Sequence, residues 1–243
     1  MFFILRGDIP ILPVREMKNA AAAIFDVDGT LVRADVVDYY LFLVSAALLS
    51  RGQKIRRYLA AFTKAPYWFV LDRFDRAKFN RNFYRSYRGL SGQQMAELRE
   101  ACFKEVQASR LIHETVRELE EHRNRGDKIV LVSGSLDFLL DPLARHLRAD
   151  ACLCPSLVEE EGSFSGELKG APVIGEEKAR LVRRYAQEHG LDLSESYAYA
   201  DSVSDLPLLE LVGRPIAVHP DRRLRKHAKK GGWRILDGSA SLS

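Results

Sequence analysis

Two aspartates stand one residue apart at the end of a short apolar run, in A-A-A-I-F-D-V-D-G-T-L-V over residues 21–32. A buried strand gains nothing from ending on two like charges, so Asp26 and Asp28 need a role elsewhere. Residues two apart on an extended chain project to one side, roughly 6–7 Å apart, and can face one bound group. Two carboxylates repel an anion, but they suit Mg²⁺, which binds carboxylates together with phosphate oxygens. Taken alone, Asp-x-Asp-Gly is more often a turn.

Further polar groups follow later apolar runs. Ser133 and Gly134 come directly after K-I-V-L-V, where the next helix opens. A hydroxyl and backbone N–H groups at the positive end of a helix form a phosphate-binding site. Lys178 can add a positive charge to that site. Each has an ordinary alternative, because Ser133 alone is a helix N-cap and Lys178 alone is a solvated helix lysine.

A second pair of acids follows the run Y-A-Y-A. Asp201 and Asp205 are spaced i and i+4 where a helix is expected to begin, so the spacing predicts that they share one face. Like charges at this spacing destabilise a helix unless a cation neutralises them. A metal ion or the Lys178 ammonium would do so.

The elements that position these groups alternate along the second half of the chain. Such alternation predicts an α/β fold with a parallel sheet covered by helices on both faces, and reactive groups then gather beyond the carboxyl ends of the strands. The predicted strands are 128–132, 151–154, 196–200, 215–218 and 234–236, with a hairpin over 157–168; the predicted helices are 136–148, 175–190, 203–212 and 221–230.

The stretch from Asp35 to about Ser109 has a different composition. Between Asp35 and Arg88 it carries eleven Lys or Arg against four Asp, and it holds thirteen of the chain's aromatic residues. It has no strand pattern and predicts four or five helices, broken at Gly52, Pro66 and Gly89. We therefore predict a core of residues 1–34 and 109–243, with residues 1–16 as a weakly structured extension, and an inserted all-helical cap over 35–108.

Four motifs together resemble those of the haloacid dehalogenase superfamily, in order and in spacing. They are D-V-D-G-T-L at 26–31, V-S-G-S at 132–135, Lys178 within E-E-K-A-R-L-V, and A-D-S-V-S-D-L-P-L-L at 200–209. The helical insertion after the first motif is similar to the subfamily IB branch that contains phosphoserine phosphatase. The resemblance implies a Rossmann-like core and a phosphomonoesterase that forms an aspartyl-phosphate.

The resemblance also implies a role for each matching residue. Asp26 is the expected nucleophile and Asp28 the expected general acid and base. Ser133, Gly134 and Lys178 are expected to bind phosphate. Mg²⁺ is the expected cofactor, with Asp26, Asp28 through its backbone carbonyl, Asp201 and Asp205 as its site.

The substrate is less well indicated. A small phosphomonoester such as phosphoserine is the first hypothesis, with Asp35, Arg81 and Arg85 as candidate specificity residues. Asp35 stands where phosphoserine phosphatases usually have Glu, and Ala200 and Ser204 replace the usual Gly and Asn. The second hypothesis is a lipid phosphate of the lysophosphatidate or phosphatidylglycerophosphate type. The third, from another class, is a non-catalytic basic binding module, and the intact motif set argues against it.

Composition and charge narrow the setting. A net charge of +4 is too small to indicate nucleic acid, which is not an expected partner. Three cysteines fit neither a disulfide framework nor a metal pair, and no apolar run reaches the ~18 residues of a membrane span. We expect a cytoplasmic protein. The basic, aromatic stretch 55–71 admits two interpretations: an ordinary helical bundle, or peripheral contact with an anionic membrane.

Overall fold

The structure, a computed structural model, describes residues 20–237. Within this range the chain alternates between strands and helices after residue 127, and no strand longer than an isolated β-bridge occurs between β1 and β2. The strands are β1 (Ala22–Asp26), β2 (Lys128–Val132), β3 (Ala151–Leu153), β4 (Leu157–Glu160), β5 (Ser163–Leu168), β6 (Tyr197–Ala200), β7 (Arg214–Val218) and β8 (Arg234–Leu236). The α-helices are α1 (Val36–Ala46), α2 (Arg51–Phe74), α3 (Arg76–Tyr84), α4 (Gly92–Cys102), α5 (His113–Arg125), α6 (Asp137–His146), α7 (Glu176–His189), α8 (Leu206–Leu209) and α9 (Arg222–Gly231).

Six of these strands form one parallel sheet in the order β3-β2-β1-β6-β7-β8. Strand β1 explains why both faces are covered. Its residues Ala23 and Phe25 belong to one buried apolar cluster, and Ala22 and Ile24 belong to another. A run that is apolar on both sides is typical of a parallel strand between two helical layers. The predicted parallel sheet with helices on both faces is therefore confirmed.

The strand order reverses direction at the centre of the sheet. The chain moves outward from β1 through β2 to β3, and then returns to the other side of β1 with β6. Such a reversal opens a crevice beyond the carboxyl ends of the two central strands. Asp26 is the last residue of β1, and Asp201 directly follows β6.

Residues 35–108, here called the cap segment, contain α1 to α4. Aromatic rings form much of its interior: the ring centroid of Phe83 lies 5.1 Å from that of Trp68 and 5.7 Å from that of Tyr40. Gly89 interrupts the helices as predicted, with φ at 73°. The predicted breaks at Gly52 and Pro66 are wrong, because α2 runs through both.

Helix α2 continues through Gly52 because of that residue's position in the helix, and through Pro66 because the helix is exposed there. Gly52 lies in the first turn of α2, behind a capping box in which Ser50 and Gln53 bind each other's backbone N–H. Pro66 leaves the carbonyl of Phe62 without its usual N–H donor, but α2 is exposed around this point, so water can replace that donor.

Strands β4 and β5 form the predicted hairpin, which lies outside the main sheet. It pairs with the cap segment, because the Gly89 N–H donates to the carbonyl of Phe164 and the Phe164 N–H donates to the carbonyl of Leu90, both at 2.9 Å. The division into a core and a cap at residues 34 and 109 remains a prediction, and the extension predicted over 1–16 lies outside the described residues.

His122 is not the helix-surface group that its position in α5 indicates. It is fully buried, its Nδ1 lies 2.7 Å from Asp127 Oδ2, and its Nε2 lies 2.7 Å from the Tyr199 hydroxyl. Burial lowers the pKa of His122, although Asp127 opposes the change. The polar partners come from the turn after α5 and from β6, which the helical pattern alone does not reveal.

Candidate active site

Asp26 ends β1 inside the crevice and is almost fully buried. Its Oδ1 lies 2.6 Å from Lys178 Nζ, and its Oδ2 accepts a 3.3 Å hydrogen bond from the Thr30 hydroxyl. Lys178 Nζ also lies 2.8 Å from Asp205 Oδ1. Burial alone would lower the pKa of Lys178, but the two carboxylates outweigh it and raise that pKa, so the lysine is charged.

Asp201 completes a group of three carboxylates. One oxygen from each of Asp26, Asp201 and Asp205 lies within 4.8 Å of the others. Burial first, and then the negative charges of Asp26 and Asp205, raise the pKa of Asp201 to about 8. Its Oδ1 is buried and has no hydrogen-bond partner among the described residues.

This donor set fits a divalent cation. The Lys178 ammonium contacts Asp26 and Asp205, and the Arg76 guanidinium acts on all three carboxylates from the start of α3. Two positive charges thus face three converging carboxylates, and a buried oxygen of Asp201 remains without a donor among the described residues. A small hard cation with oxygen ligands would supply both the missing partner and the missing charge.

The local structure that brings Asp201 and Asp205 together differs from the predicted helix. Asp205 lies in a 3₁₀ turn (Val203–Asp205), and α8 begins only after it, with Pro207 in its first turn. The helix expected over 203–212 is therefore shorter, and Asp201 and Asp205 do not share a helical face. Gly29 allows the close packing on the other side, since its φ is 85° and a Cβ there would lie 2.3 Å from Asp201 Oδ2.

Asp28 lies in the same cavity as Asp26 but in different surroundings. Its Oδ2 accepts hydrogen bonds from Ser133 Oγ at 2.9 Å and Ser135 Oγ at 2.7 Å, and its Oδ1 accepts one from the Tyr39 hydroxyl at 2.9 Å. Burial raises the pKa of Asp28, although these three donors oppose the change. A carboxyl group with a raised pKa can hold a proton for a leaving group.

Ser133 and Gly134 follow β2 and face the cap segment. Ser133 Oγ accepts the Ser135 N–H at 2.9 Å, and the Gly134 carbonyl accepts a 2.6 Å hydrogen bond from Tyr84 of α3. A Cβ at Gly134 would lie 2.8 Å from Ile174 and 3.0 Å from the amide nitrogen of Asn80. A side chain at position 134 would therefore require Ile174 and Asn80 to shift.

A cavity of about 590 Å³ opens from these residues toward α2. Its floor carries Asp26, Asp28 and Lys178, and most of its remaining wall is apolar. That apolar wall is formed by Val36, Val37, Leu41, Tyr58, Ala61, Phe62, Ala65, Trp68, Phe69, Phe79 and Ile174.

The three candidate specificity residues differ in whether they line this cavity. Asp35 lines it and also caps α1, accepting the Val37 N–H at 2.8 Å. Arg81 and Arg85 are exposed and do not line it. Arg76 does, because it begins α3 beside the site, whereas Arg81 lies about 140° farther around that helix. Arg76 donates to Ser204 Oγ at 3.0 Å.

Sequence reasoning missed Tyr39, Ser135 and Arg76. Ser135 belongs to the V-S-G-S motif, so the motif itself was a sufficient signal for it. Tyr39 and Arg76 reach the site only through the packing of α1 and α3 over the crevice, and no local pattern marks them.

Comparison with known proteins agrees with the four motifs. The sequence pattern of the haloacid dehalogenase-like hydrolases matches residues 23–210. The chain is 33% identical to the inhibition of morphological differentiation protein of Streptomyces azureus, over 89% of this chain and 78% of that protein. It is 31% identical to a phosphoserine phosphatase of Mycobacterium tuberculosis, over 89% and 70% of the two chains.

One further relative shares sequence with the chain, and two solved structures share its fold. A histidinol-phosphatase of Neisseria meningitidis is 27% identical over 91% of this chain and 99% of its own. A Bordetella pertussis protein of unknown function has a TM-score of 0.76 at 25% identity, covering 90% and 99% of the two chains. A substrate-bound phosphoserine phosphatase shares the fold, with a TM-score of 0.66 at 18% identity over 90% and 93%. The chain therefore belongs to the haloacid dehalogenase-like hydrolases, and within them it is a phosphatase.

Proposed function

We propose that the protein is a Mg²⁺-dependent phosphomonoesterase that works through an aspartyl-phosphate on Asp26. The observation that carries this proposal is the convergence of Asp26, Asp201 and Asp205 within 4.8 Å beside Lys178. Asp26, Asp201 and the backbone carbonyl of Asp28 would hold the ion, with Asp205 in support. When bound, Mg²⁺ would neutralise negative charge on the phosphate.

In the first step an Asp26 carboxylate oxygen forms a bond to phosphorus, and the bond from phosphorus to the ester oxygen breaks. Asp28 gives its proton to the departing oxygen, which leaves as an alcohol. In the second step Asp28 takes a proton from water, whose oxygen attacks phosphorus. The bond to Asp26 then breaks, which releases inorganic phosphate and restores both carboxyl groups.

Ser133, Gly134 and Lys178 are the proposed phosphate-binding groups. A charged lysine, a hydroxyl and backbone N–H groups in a water-poor crevice stabilise charge that develops on the transferring phosphoryl group. Ser133 donates to Asp28 at 2.9 Å, so substrate binding would require its hydroxyl to turn from Asp28 toward phosphate.

The test is release of inorganic phosphate from p-nitrophenyl phosphate, with and without Mg²⁺, by wild type, Asp26→Asn and Asp28→Asn. We expect metal-dependent turnover that Asp26→Asn abolishes. p-Nitrophenolate leaves without a proton, so Asp28→Asn should complete the first step, stall at the second and accumulate the mass of one phosphoryl group on the peptide that contains Asp26. Turnover without metal, or an undiminished Asp26→Asn, would remove the mechanism.

Two classes of phosphomonoester are candidate substrates. The names of relatives, phosphoserine phosphatase and histidinol-phosphatase, favour a small phosphomonoester. The apolar wall formed mainly by α1 and α2 favours a phosphomonoester whose leaving group carries an alkyl chain, as in a lipid phosphate. Arg81 and Arg85 do not line the cavity, so Arg76 is the arginine that is available there to bind a substrate carboxylate.

A comparison of phosphoserine with dodecyl phosphate separates the two classes. If the apolar wall binds the leaving group, dodecyl phosphate has the higher kcat/KM, and Ala65→Phe, which fills the cavity, lowers it by at least about tenfold. Ala60→Phe is the matched control, since Ala60 is exposed on the same helix and does not line the cavity. A higher kcat/KM for phosphoserine would favour the small substrate.

A further inference from the structure

Helix α2 leaves an unusual amount of apolar surface exposed. Among residues 20–237, every large hydrophobic side chain that is at least half exposed lies between Leu48 and Phe74, and Phe62 and Phe69 are 80% and 76% exposed. The buried contacts of the helix come from one other side, through Ala61 and Trp68. A contiguous exposed apolar patch often marks an interaction surface, whereas single exposed apolar residues do not.

Four of these exposed residues, together with Pro66, form a stripe along α2. Ile55, Leu59, Phe62, Pro66 and Phe69 follow each other at steps of four, three, four and three residues, which is the spacing of one helix face. At about 100° per residue this face is centred roughly 120° around the helix from Ala61. Over its 24 residues, α2 extends for about 36 Å. We call these five residues the docking stripe. It is a second apolar face of α2, beside the face that packs on the rest of the cap segment.

Charge limits the kind of partner that suits the docking stripe. Six of the seven charged residues in α2 are basic, and its one acid, Asp72, is paired with Arg76 at 3.2 Å. None of these six basic side chains forms an ion pair with the part of the chain that the structure describes, and Lys54 and Arg57 donate to backbone carbonyls. An apolar stripe with unpaired cations around it fits an anionic lipid surface.

The cavity opens on the same side of α2. Phe62 and Phe69 belong both to the docking stripe and to the lining of the cavity above Asp26. A bilayer that covers the docking stripe would therefore lie at the mouth of the cavity. No helix in residues 20–237 has the length and apolar character needed to cross a membrane.

We infer that α2 binds an anionic membrane surface through the docking stripe and that the cavity takes its phosphomonoester from that surface. The second part rests on the proposed phosphatase function; the first does not. The apolar part of the substrate would pass between Phe62 and Phe69, and its phosphate would reach Asp26 and Lys178.

Vesicle flotation tests the binding. Wild type should float with vesicles of phosphatidylcholine and phosphatidylglycerol, and at least about tenfold less with phosphatidylcholine alone. Raising the salt from about 0.05 M to about 0.5 M should weaken the binding. The double variant Ile55→Ser/Leu59→Ser, whose residues both belong to the docking stripe and do not line the cavity, should lose at least about tenfold in affinity while its circular dichroism stays unchanged. No flotation, or no effect of anionic lipid, would overturn the inference.

A charge pair on another helix supplies the matched control. Arg56→Gln/Lys64→Gln on α2 and Arg223→Gln/Lys226→Gln on α9 remove the same charge from different surfaces. The α2 pair should weaken binding by at least about tenfold and the α9 pair by less than about threefold. Equal losses would show general attraction of a basic protein and would overturn the assignment to α2.

Two further measurements separate the remaining explanations. Sedimentation of wild type without vesicles should give a monomer; a dimer that Ile55→Ser/Leu59→Ser dissociates, with no vesicle binding, would assign the docking stripe to a second copy. Hydrolysis of p-nitrophenyl phosphate by wild type without vesicles reports on the proposed function alone. Turnover without vesicle binding would end this inference and leave the phosphatase mechanism intact.

Discussion

The floor of the cavity contains charged groups that are buried, whereas its wall contains apolar groups that are exposed. On the floor, Asp26 and Lys178 are charged groups withdrawn from water that pair with each other, and Lys178 also pairs with the buried Asp205. On the wall, Phe62 and Phe69 are apolar groups exposed to water. Buried charges are stable only with partners, so the floor is constrained residue by residue. The wall has no such requirement, which lets the cap segment vary to suit a substrate or a surface.

Removing a charge from the floor should have the largest effect. Asp26→Asn should lower kcat for p-nitrophenyl phosphate by at least about 10³-fold, because it removes the nucleophile. The matched control is Asp141→Asn on α6, a partly exposed acid outside the cavity, which should change kcat by less than about twofold. Initial rates at saturating substrate measure both. If the two variants behave alike, the floor is not catalytic.

Within α2, two neighbouring aromatic residues test the contrast in stability. Trp68 is 5% exposed and packs edge-on against Phe83, whereas Phe69 is 76% exposed. Trp68→Ala should lower the free energy of unfolding by about 3–5 kcal/mol, because it opens a cavity in the cap segment. Phe69→Ala should change it by less than about 0.5 kcal/mol. Urea unfolding followed by circular dichroism measures both. A comparable loss in Phe69→Ala would mean that the docking stripe is covered in solution.

Tyr39 links the wall to the floor, because it lies on α1 and donates to Asp28 at 2.9 Å. Tyr39→Phe removes a donor that lowers the pKa of Asp28, so that pKa should rise further. The limb of the pH profile that reports on Asp28 should shift to higher pH, with a loss of about tenfold in kcat at neutral pH.

Tyr40→Phe is the control for that experiment. Its hydroxyl donates to the Ser86 carbonyl at 3.2 Å and does not contact Asp28. A pH profile that moves equally in both variants would point to a general loosening of α1 instead of a specific effect on Asp28.

The smallest expected effect concerns stability at acid pH. Burial lowers the pKa of His122 below its ordinary value of 6.5, so the unfolded chain binds more protons than the folded chain between the two pKa values. The stability that neutral His122 contributes is therefore present above about pH 6.5 and is lost as the pH falls below it. Asp127, Tyr199 and Arg125 all contact this ring.

Urea midpoints measured at several pH values between about 5 and 8 give the slope. His122→Gln should lose part of the wild-type decline toward acid pH, whereas His146→Gln, on an exposed residue of α6, should keep all of it. An unchanged slope in His122→Gln would mean that other groups cause the acid loss.

Most of the sheet could be predicted because its strands are apolar on both sides and end at polar residues. Strands β2 and β8 have the predicted bounds, and the hairpin lies where its turn residues place it. The path of α2 through Pro66 could not be predicted, because a proline breaks a helix or not according to what surrounds it. For the same reason local pattern could not place Arg76 or His122, whose positions depend on elements distant in the sequence.

Pro66 also sets a limit on how α2 could meet a bilayer. It has no N–H to donate to the carbonyl of Phe62, at the middle of the docking stripe. Hydrocarbon offers a carbonyl oxygen no donor, so full immersion of this turn would carry an electrostatic cost. The helix would stay shallow among hydrated headgroups, where water still reaches the oxygen, and only the outermost rings would enter the acyl region.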